Sequence, residues 1–241
     1  VTSPPDAPAH VHTFFVGTIT TVLADDFEAN QGWTVGDTGD NATTGIWVRA
    51  DPVGSYNGTQ PVQPEDDHTP APGVACWVTG NALPGQSQGT NDVDGGKTTV
   101  KSPSYDLSAL PNAWVRYHRW YTNDTGGSPG ADTWVVDVST NGGASWTRLE
   151  DTQVSERSWW LVEKPISLPL TTQMRLRFVA SDNDPGSIVE AAVDDFSIVT
   201  YQQPTTAVAA AAGAPARAIR LEQNAPNPFN PRTEIRLWVP A

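Results

Sequence analysis

Apolar and polar positions along this chain alternate with a period of two. In "AWVRYHRWYT", Trp114, Arg116, His118 and Trp120 fall on one face and Val115, Tyr117, Arg119 and Tyr121 on the other. "QMRLRFVAS" sets Met174, Leu176 and Phe178 against Arg175, Arg177 and Val179. Alternation of this kind puts successive side chains on opposite sides of a pleated strand. No stretch holds a helical period. Runs of β-branched and aromatic residues, punctuated by Gly, Pro, Asn and Asp, continue from "TFFVGTITTVLADDFEANQGWTV" to "AAVDDFSIVTY". The pattern predicts an all-β chain: an antiparallel β-sandwich of jelly-roll type, with a long polar loop from about Asp51 to Gly73.

The pattern is different at both ends. Residues 1–20 read as a Pro-rich linker and lead-in strand, and 21–201 as the sandwich. Residues 202–218, "QQPTTAVAAAAGAPARA" without an aromatic, read as a Pro/Ala-rich linker, and 219–241 as a short extended tail. The linker should be the first place a protease cuts.

Composition narrows the function classes. A net charge of −13, from 27 acidic against 14 basic residues, opposes binding to nucleic acid or to an anionic membrane. No apolar run nears the ~20 residues that span a bilayer, so membrane insertion is not expected. The single cysteine, Cys76, excludes an intrachain disulfide framework, and its setting in "GVACWVTG" marks a buried strand residue. No signal peptide is visible before Val1, which suits a mature or excised piece of a longer protein.

Two segments resemble known families. "LEQNAPNPFNPRTEIRL" resembles the start of the type IX secretion C-terminal sorting domain, a FlgD-like immunoglobulin fold. Gln223, Asn224, Pro226, Asn227, Pro228, Phe229, Asn230 and Pro231 carry the signature. Only the first ~20 residues of such a domain are present. "DDFEANQGWTV", "VVDVSTNGGASW" and "SIVEAAVDDFSIV" are similar to the jelly-roll module that follows the catalytic domain in secreted bacterial zinc carboxypeptidases and other peptidases. That module is related in topology to MAM-type and carbohydrate-binding sandwiches. The resemblance implies an accessory module of a secreted or surface-bound bacterial hydrolase, partnered by the catalytic domain of its own chain. A glycan-binding module, or a surface subunit that assembles with neighbouring copies through its tail strand "TEIRLWV", is the competing expectation.

Strings that mimic active sites fail on context. "GQSQG" around Ser87 lacks the strand and helix that a nucleophile elbow needs. The Asp37 and Asp124 triplets "DTG" lie in polar surroundings and read as turns, without the apolar strand residues that bury a carboxylate dyad. None of the four histidines stands in zinc-protease spacing. His10 and His12 lack a third ligand nearby, and His118 reads as a hydrogen-bonded sheet residue. "STNGGASW" resembles an Asp-box hairpin, a structural turn. The chain is expected to be no enzyme.

Carboxylates form two groups. Asp26 and Glu28, flanking Phe27, share a face if the strand continues through them, and Asp194 and Asp195 precede Phe196 near the end of the body. In the related jelly rolls the first and last strands are neighbours and carboxylates there hold a structural Ca2+, so the resemblance implies Ca2+ at these positions. A solvated acidic edge is the alternative. Asp66 and Asp67, taken together with Asp92 and Asp94, form a second expected cation cluster, in which "DVDGG" would wrap an ion. Trp159 and Trp160 are adjacent, so one must face outward as a sugar platform or interface anchor.

Overall fold

The computed structural model describes residues 18–183 and 186–202, together with two short strands at 220–221 and 237–238. The chain divides into two compact units, residues 1–203 and 204–241. Every regular element is a strand: β1 (Thr18–Asp25), β2 (Thr34–Val35), β3 (Trp47–Ala50), β4 (Ser55–Asn57), β5 (Gln60–Gln63), β6 (Cys76–Thr79), β7 (Gly96–Lys101), β8 (Trp114–Gly126), β9 (Trp134–Ser139), β10 (Thr147–Thr152), β11 (Glu156–Pro165), β12 (Arg175–Asp182) and β13 (Ser187–Gln202). In the second unit, β14 (Arg220–Leu221) pairs antiparallel with β15 (Leu237–Trp238). The end of the tail strand thus finds a partner within its own chain. The interdomain linker and the sorting-type signature, from Gln223 to Pro231, lie outside the described residues, as do His10 and His12.

The first unit is an antiparallel jelly-roll sandwich. One sheet runs β11–β8–β13–β6–β3, with β1 added against β13, and the other runs β10–β9–β12–β7–β2. The alternation read in β8 holds: Val115, Tyr117, Arg119 and Tyr121 are buried between the sheets. Val115, Tyr117 and Tyr121 share one core with Met174 and with Leu176 and Phe178 of the opposite sheet, and that core also takes Trp33, Trp47 and Trp134. The rings pack mostly edge-on, Tyr117 to Phe178 at 5.0 Å and Phe27 to Trp33 at 5.2 Å, an arrangement that suits their quadrupoles.

A second, smaller apolar cluster lies on the other face of the β8 sheet. Cys76, Val78, Trp120 and Ala192 form it, with Trp159 packed alongside. What covers it is the segment expected to be a bare loop, residues 51–73. That segment carries the β4–β5 hairpin. The Val62 carbonyl accepts both Trp120 Nε1 at 2.8 Å and Thr122 Oγ1 at 3.0 Å, which explains why a polar stretch adheres to an apolar sheet face. Burial pushes the Cys76 thiol well up, so it stays protonated and inert.

The second "DTG" triplet departs from expectation. Asp37 to Gly39 is a turn, but Asp124, Thr125 and Gly126 are the last residues of strand β8. Pairing with Ser187 and Ile188 of β13 carries the strand through residues whose local preference is for a turn. Ser87 lies in a loop, and Asn141 closes the β9–β10 turn by exchanging two hydrogen bonds with Ser145.

One ion network crosses the core. Arg119 of β8 donates to Glu150 of β10 at 2.8 Å and to Glu156 at 2.6 Å. Glu150 also accepts the Tyr117 hydroxyl and, at 3.0 Å, Trp134 Nε1. Removing one partner of a buried pair strands the other charge in a poorly solvating interior. Arg119→Met is therefore expected to cost about 3–5 kcal/mol by urea unfolding. A loss under about 1 kcal/mol would mean that water already solvates Glu150.

Candidate functional site

The site begins as a discontinuity in β13. On one side this strand pairs with β8 along most of its length, and on the other it has two successive partners. Pairing with β6 reaches Ala192 and Val193, and pairing with β1 starts at Phe196. Asp194 and Asp195 fall in between. Opposite them the β8 register slips: Asp194 faces His118, whereas Ser197 already faces Arg116. The extra residue is a β-bulge, and Asp195 adopts φ 47°, in the left-handed region. The bulge keeps two consecutive aspartates on the outer face of the sheet, where strict alternation would have turned one into the core between the sheets.

The end of β1 makes the matching irregularity. The strand stops at Asp25, and Phe27 takes φ 58°. Phe27 and Asp195 are the only non-glycine residues with positive φ among the described residues, and they meet at the same seam. Strain of this kind persists only where surrounding contacts fix it. Here Asp25 is the clamp: its carboxylate accepts Phe27 N at 3.0 Å and Trp33 Nε1 at 2.9 Å, and burial raises its pKa. The expected strand through Asp26 and Glu28 is thus corrected. The chain turns at Phe27, leaving Asp26 exposed and Glu28 half-buried.

Asp194 and Asp195 have different roles. Asp194 is fully buried, and its carboxylate accepts three backbone N–H groups: His68 at 2.7 Å, Thr69 at 3.1 Å and Asp195 at 2.7 Å. Burial still pushes its pKa up to about 7 against those hydrogen bonds. Asp194 therefore ties down the loop that follows β5. Asp195 receives side chains: His68 Nδ1 at 2.6 Å and Thr69 Oγ1 at 2.9 Å. The His68 ring stacks on His118 with centroids 3.4 Å apart, and His118 Nδ1 lies buried 3.8 Å from the same Asp195 oxygen. Burial and the neighbouring His68 hold the His118 pKa below its usual value. His118 is therefore a residue of β8 whose ring stacks on His68 and whose Nδ1 has no hydrogen-bond partner.

The carboxylates regroup relative to the sequence expectation. Burial raises the Asp67 pKa, and the charges of Glu28, Asp195, Asp51 and Asp66 raise it further. One Asp67 oxygen, Oδ2, is buried without a hydrogen-bond partner. Glu28 Oε1 accepts Val74 N and Ala75 N, each at 2.9 Å. Asp66 is exposed, and only its carbonyl reaches inward, to Trp159 Nε1 at 3.1 Å. Asp92 and Asp94 are not part of this group, because they lie beside Glu190 and Asp182. The expected joining of Asp66 and Asp67 with Asp92 and Asp94 is therefore corrected. Similar acidic loop composition does not bring the two stretches together, because strand β6 lies between them.

The seam offers hard oxygen donors, with a buried orphan carboxylate oxygen among them, and such a set suits Ca2+. Glu28, Asp67 and Asp195 would hold the ion. Among the described residues one group of three, His68, His118 and Asp195, has its ligand atoms all within 4.8 Å of one another, and Glu28 and Asp67 are not in it. The two histidine rings lie nearly parallel, 15° apart, so both lone pairs cannot point at one ion without a ring turning. Arg49 is the nearby cation that the sequence did not single out. It donates to the carbonyls of Phe27 at 3.1 Å and Glu28 at 3.3 Å, holding the turn in place. Trp159 covers the pair edge-on, 6.1 Å from the His68 ring, while Trp160 is 56% exposed beside Leu161 at 44%.

No family model matches the chain, and no curated protein matches it in sequence. Similar solved structures include the CBM22-1 xylan-binding domain of Xyn10C from Paenibacillus barcinonensis, at 15% identity and TM-score 0.42, covering 79% of this chain and 99% of that one. Two more are cleaved adhesin domains of Lys-gingipain from Porphyromonas gingivalis W83. The K1 domain is 13% identical with TM-score 0.44, covering 76% of this chain and 98% of that one. The K3 domain is 12% identical with TM-score 0.45, covering 76% and 99%. At these values the likeness carries no argument about ligand or activity.

Asp194 gives a test of how the seam is built. Asp194→Ala leaves the N–H groups of His68 and Thr69 without their acceptor, at about 1.5–3 kcal/mol for each hydrogen bond to a charged group. Amide exchange at His68 and Thr69 should speed up far more than exchange in β8. Uniform acceleration over the whole sandwich would show that Asp194 is only a core residue.

Proposed function

We propose that this chain is a non-catalytic accessory module of a secreted bacterial multidomain hydrolase, a peptidase by the resemblance of its body, and that Ca2+ bound at the β1–β13 seam stabilises it. The observation that carries the cation is the buried, unpartnered Asp67 oxygen among Glu28, Asp51 and Asp195. Like charges gathered at a sheet junction repel unless a cation or protons intervene. The net charge of −13 and the sorting-type signature at the tail support a secreted or surface location. The partner in this reading is the catalytic domain of the same chain, which the sandwich would position or stabilise.

An ion that binds only the folded state stabilises it by about 2.7 kcal/mol at a hundredfold excess over Kd. Chelation with EDTA should lower the melting temperature by several degrees, Ca2+ should restore it, and Mg2+ should restore it poorly. Asp67→Asn and Glu28→Gln should blunt this response, and Asp26→Asn, whose side chain is exposed, should not. A melting curve indifferent to chelator and Ca2+ would sink the seam assignment.

The exposure of Trp160 favours a second reading, a glycan-binding or adhesive module. Trp160 lies exposed on β11, an edge strand of its sheet, with an open aromatic face of the kind that sugars stack on. Polysaccharide pull-down with the intact chain should show binding that Trp160→Ala abolishes. Binding unchanged by that substitution would exclude Trp160 as the platform.

A further inference from the structure

We propose that Asp94 and Asp182, with the cavity they line, form a second hard-cation site, separate from the seam. The two residues come from distant parts of the sequence. Asp94 lies just before β7 and bridges to Thr44, whose hydroxyl donates to Asp94 Oδ2 at 3.2 Å and to the Asp92 carbonyl at 2.9 Å. Asp182 ends β12, paired with Gly96 of β7 in the sheet opposite the one that holds the seam. The cavity beside them has a volume of about 360 Å3, and Asn41, Gly95 and Asn183 also line it.

One feature points to a ligand. Asp182 is 3% exposed, yet its Oδ1 is buried without a hydrogen-bond partner while the residue lines the cavity. Asp94 lines the same cavity, and two carboxylates beside one cavity repel unless a cation intervenes.

The donors present are carboxylate, amide and carbonyl oxygens, which suit Ca2+ rather than a thiolate- or imidazole-seeking metal. The cavity leaves room for water to complete the shell. Asp92 stands behind as a charge but not as a free ligand. It is itself buried, at 2% exposure, and is not among the residues that line the cavity. The glycine pair after Asp94 is required by the backbone: Gly96 has φ 144°, and a Cβ there would fall 2.2 Å from Asn41 Oδ1. Lys97 extends alongside Gly39.

Calorimetric titration of the whole chelated chain with Ca2+ alone, at about pH 7.5, tests the assignment. Asp182→Asn and Asp94→Asn should each remove one Ca2+-binding event or weaken it at least about tenfold, while Asp67→Asn leaves that event intact. In EDTA, Asp182→Asn should melt at or above wild type, because an amide relieves the repulsion; this also shows that the variant folds. If it melts lower, Asp94→Asn, at a half-buried position, decides. Wild-type isotherms for both variants, or no Ca2+ bound beyond what Asp67→Asn removes, would overturn the proposal. An isotherm that Asp182→Asn abolishes and Asp67→Asn leaves unchanged would refute the seam and leave this site standing.

Discussion

The architecture depends on β13 having to satisfy three neighbours. Its 16 residues pair with β8 on one side and with β6 and then β1 on the other. Two strands that share one edge cannot both reach the point where they meet, so Asp194 and Asp195 lack a strand partner there. Unpaired backbone at a buried position is costly, and side chains and loops must fill the gap. The bulge at Asp195, the reversal at Phe27 and the docking of His68 and Thr69 are all responses to that one break.

The fold around this junction is asymmetric. Between the sheets, aromatic packing of Trp33, Tyr117, Trp134 and Phe178 supplies the bulk of apolar burial, and Arg119 with Glu150 links one sheet to the other. On the outer face, a small cluster under the β4–β5 segment attaches the loop that carries Asp67 and His68. Acidic groups accumulate where strands end, at the seam and at the end of β12, because there the alternation that sorts apolar from polar residues is interrupted. Each group is buried more deeply than a solvated edge, and in each one carboxylate oxygen lacks a donor.

The strands were legible because alternation is local. The faces of β8, including the inward Arg119, follow from counting residues, although the identity of its partner Glu150 does not. The departures have a common cause. Asp26 and Glu28 share a face only in a continuous strand, and Asp25 ends it by hydrogen-bonding the turn. Asp124 reads as a turn residue until pairing with β13 extends β8 through it. Loop composition groups Asp67 with Asp92, whereas the long connection carries it to the other sheet. A bulge leaves no composition signature, so nothing in "AVDDFS" shows that both aspartates face outward, and the pairing of His68 with His118 was invisible for the same reason.

The central claim is that the break in β13 builds a cation seat from Glu28, Asp67 and Asp195. It is tested most directly by a crystal structure of the chain grown with Tb3+ in place of Ca2+, with the lanthanide located by its anomalous scattering. The account predicts a strong peak touching Asp67 Oδ2 and bounded by Glu28 and Asp195. A clear map with no peak there, and with Asp67 Oδ2 hydrogen-bonded to a protein donor, would contradict it.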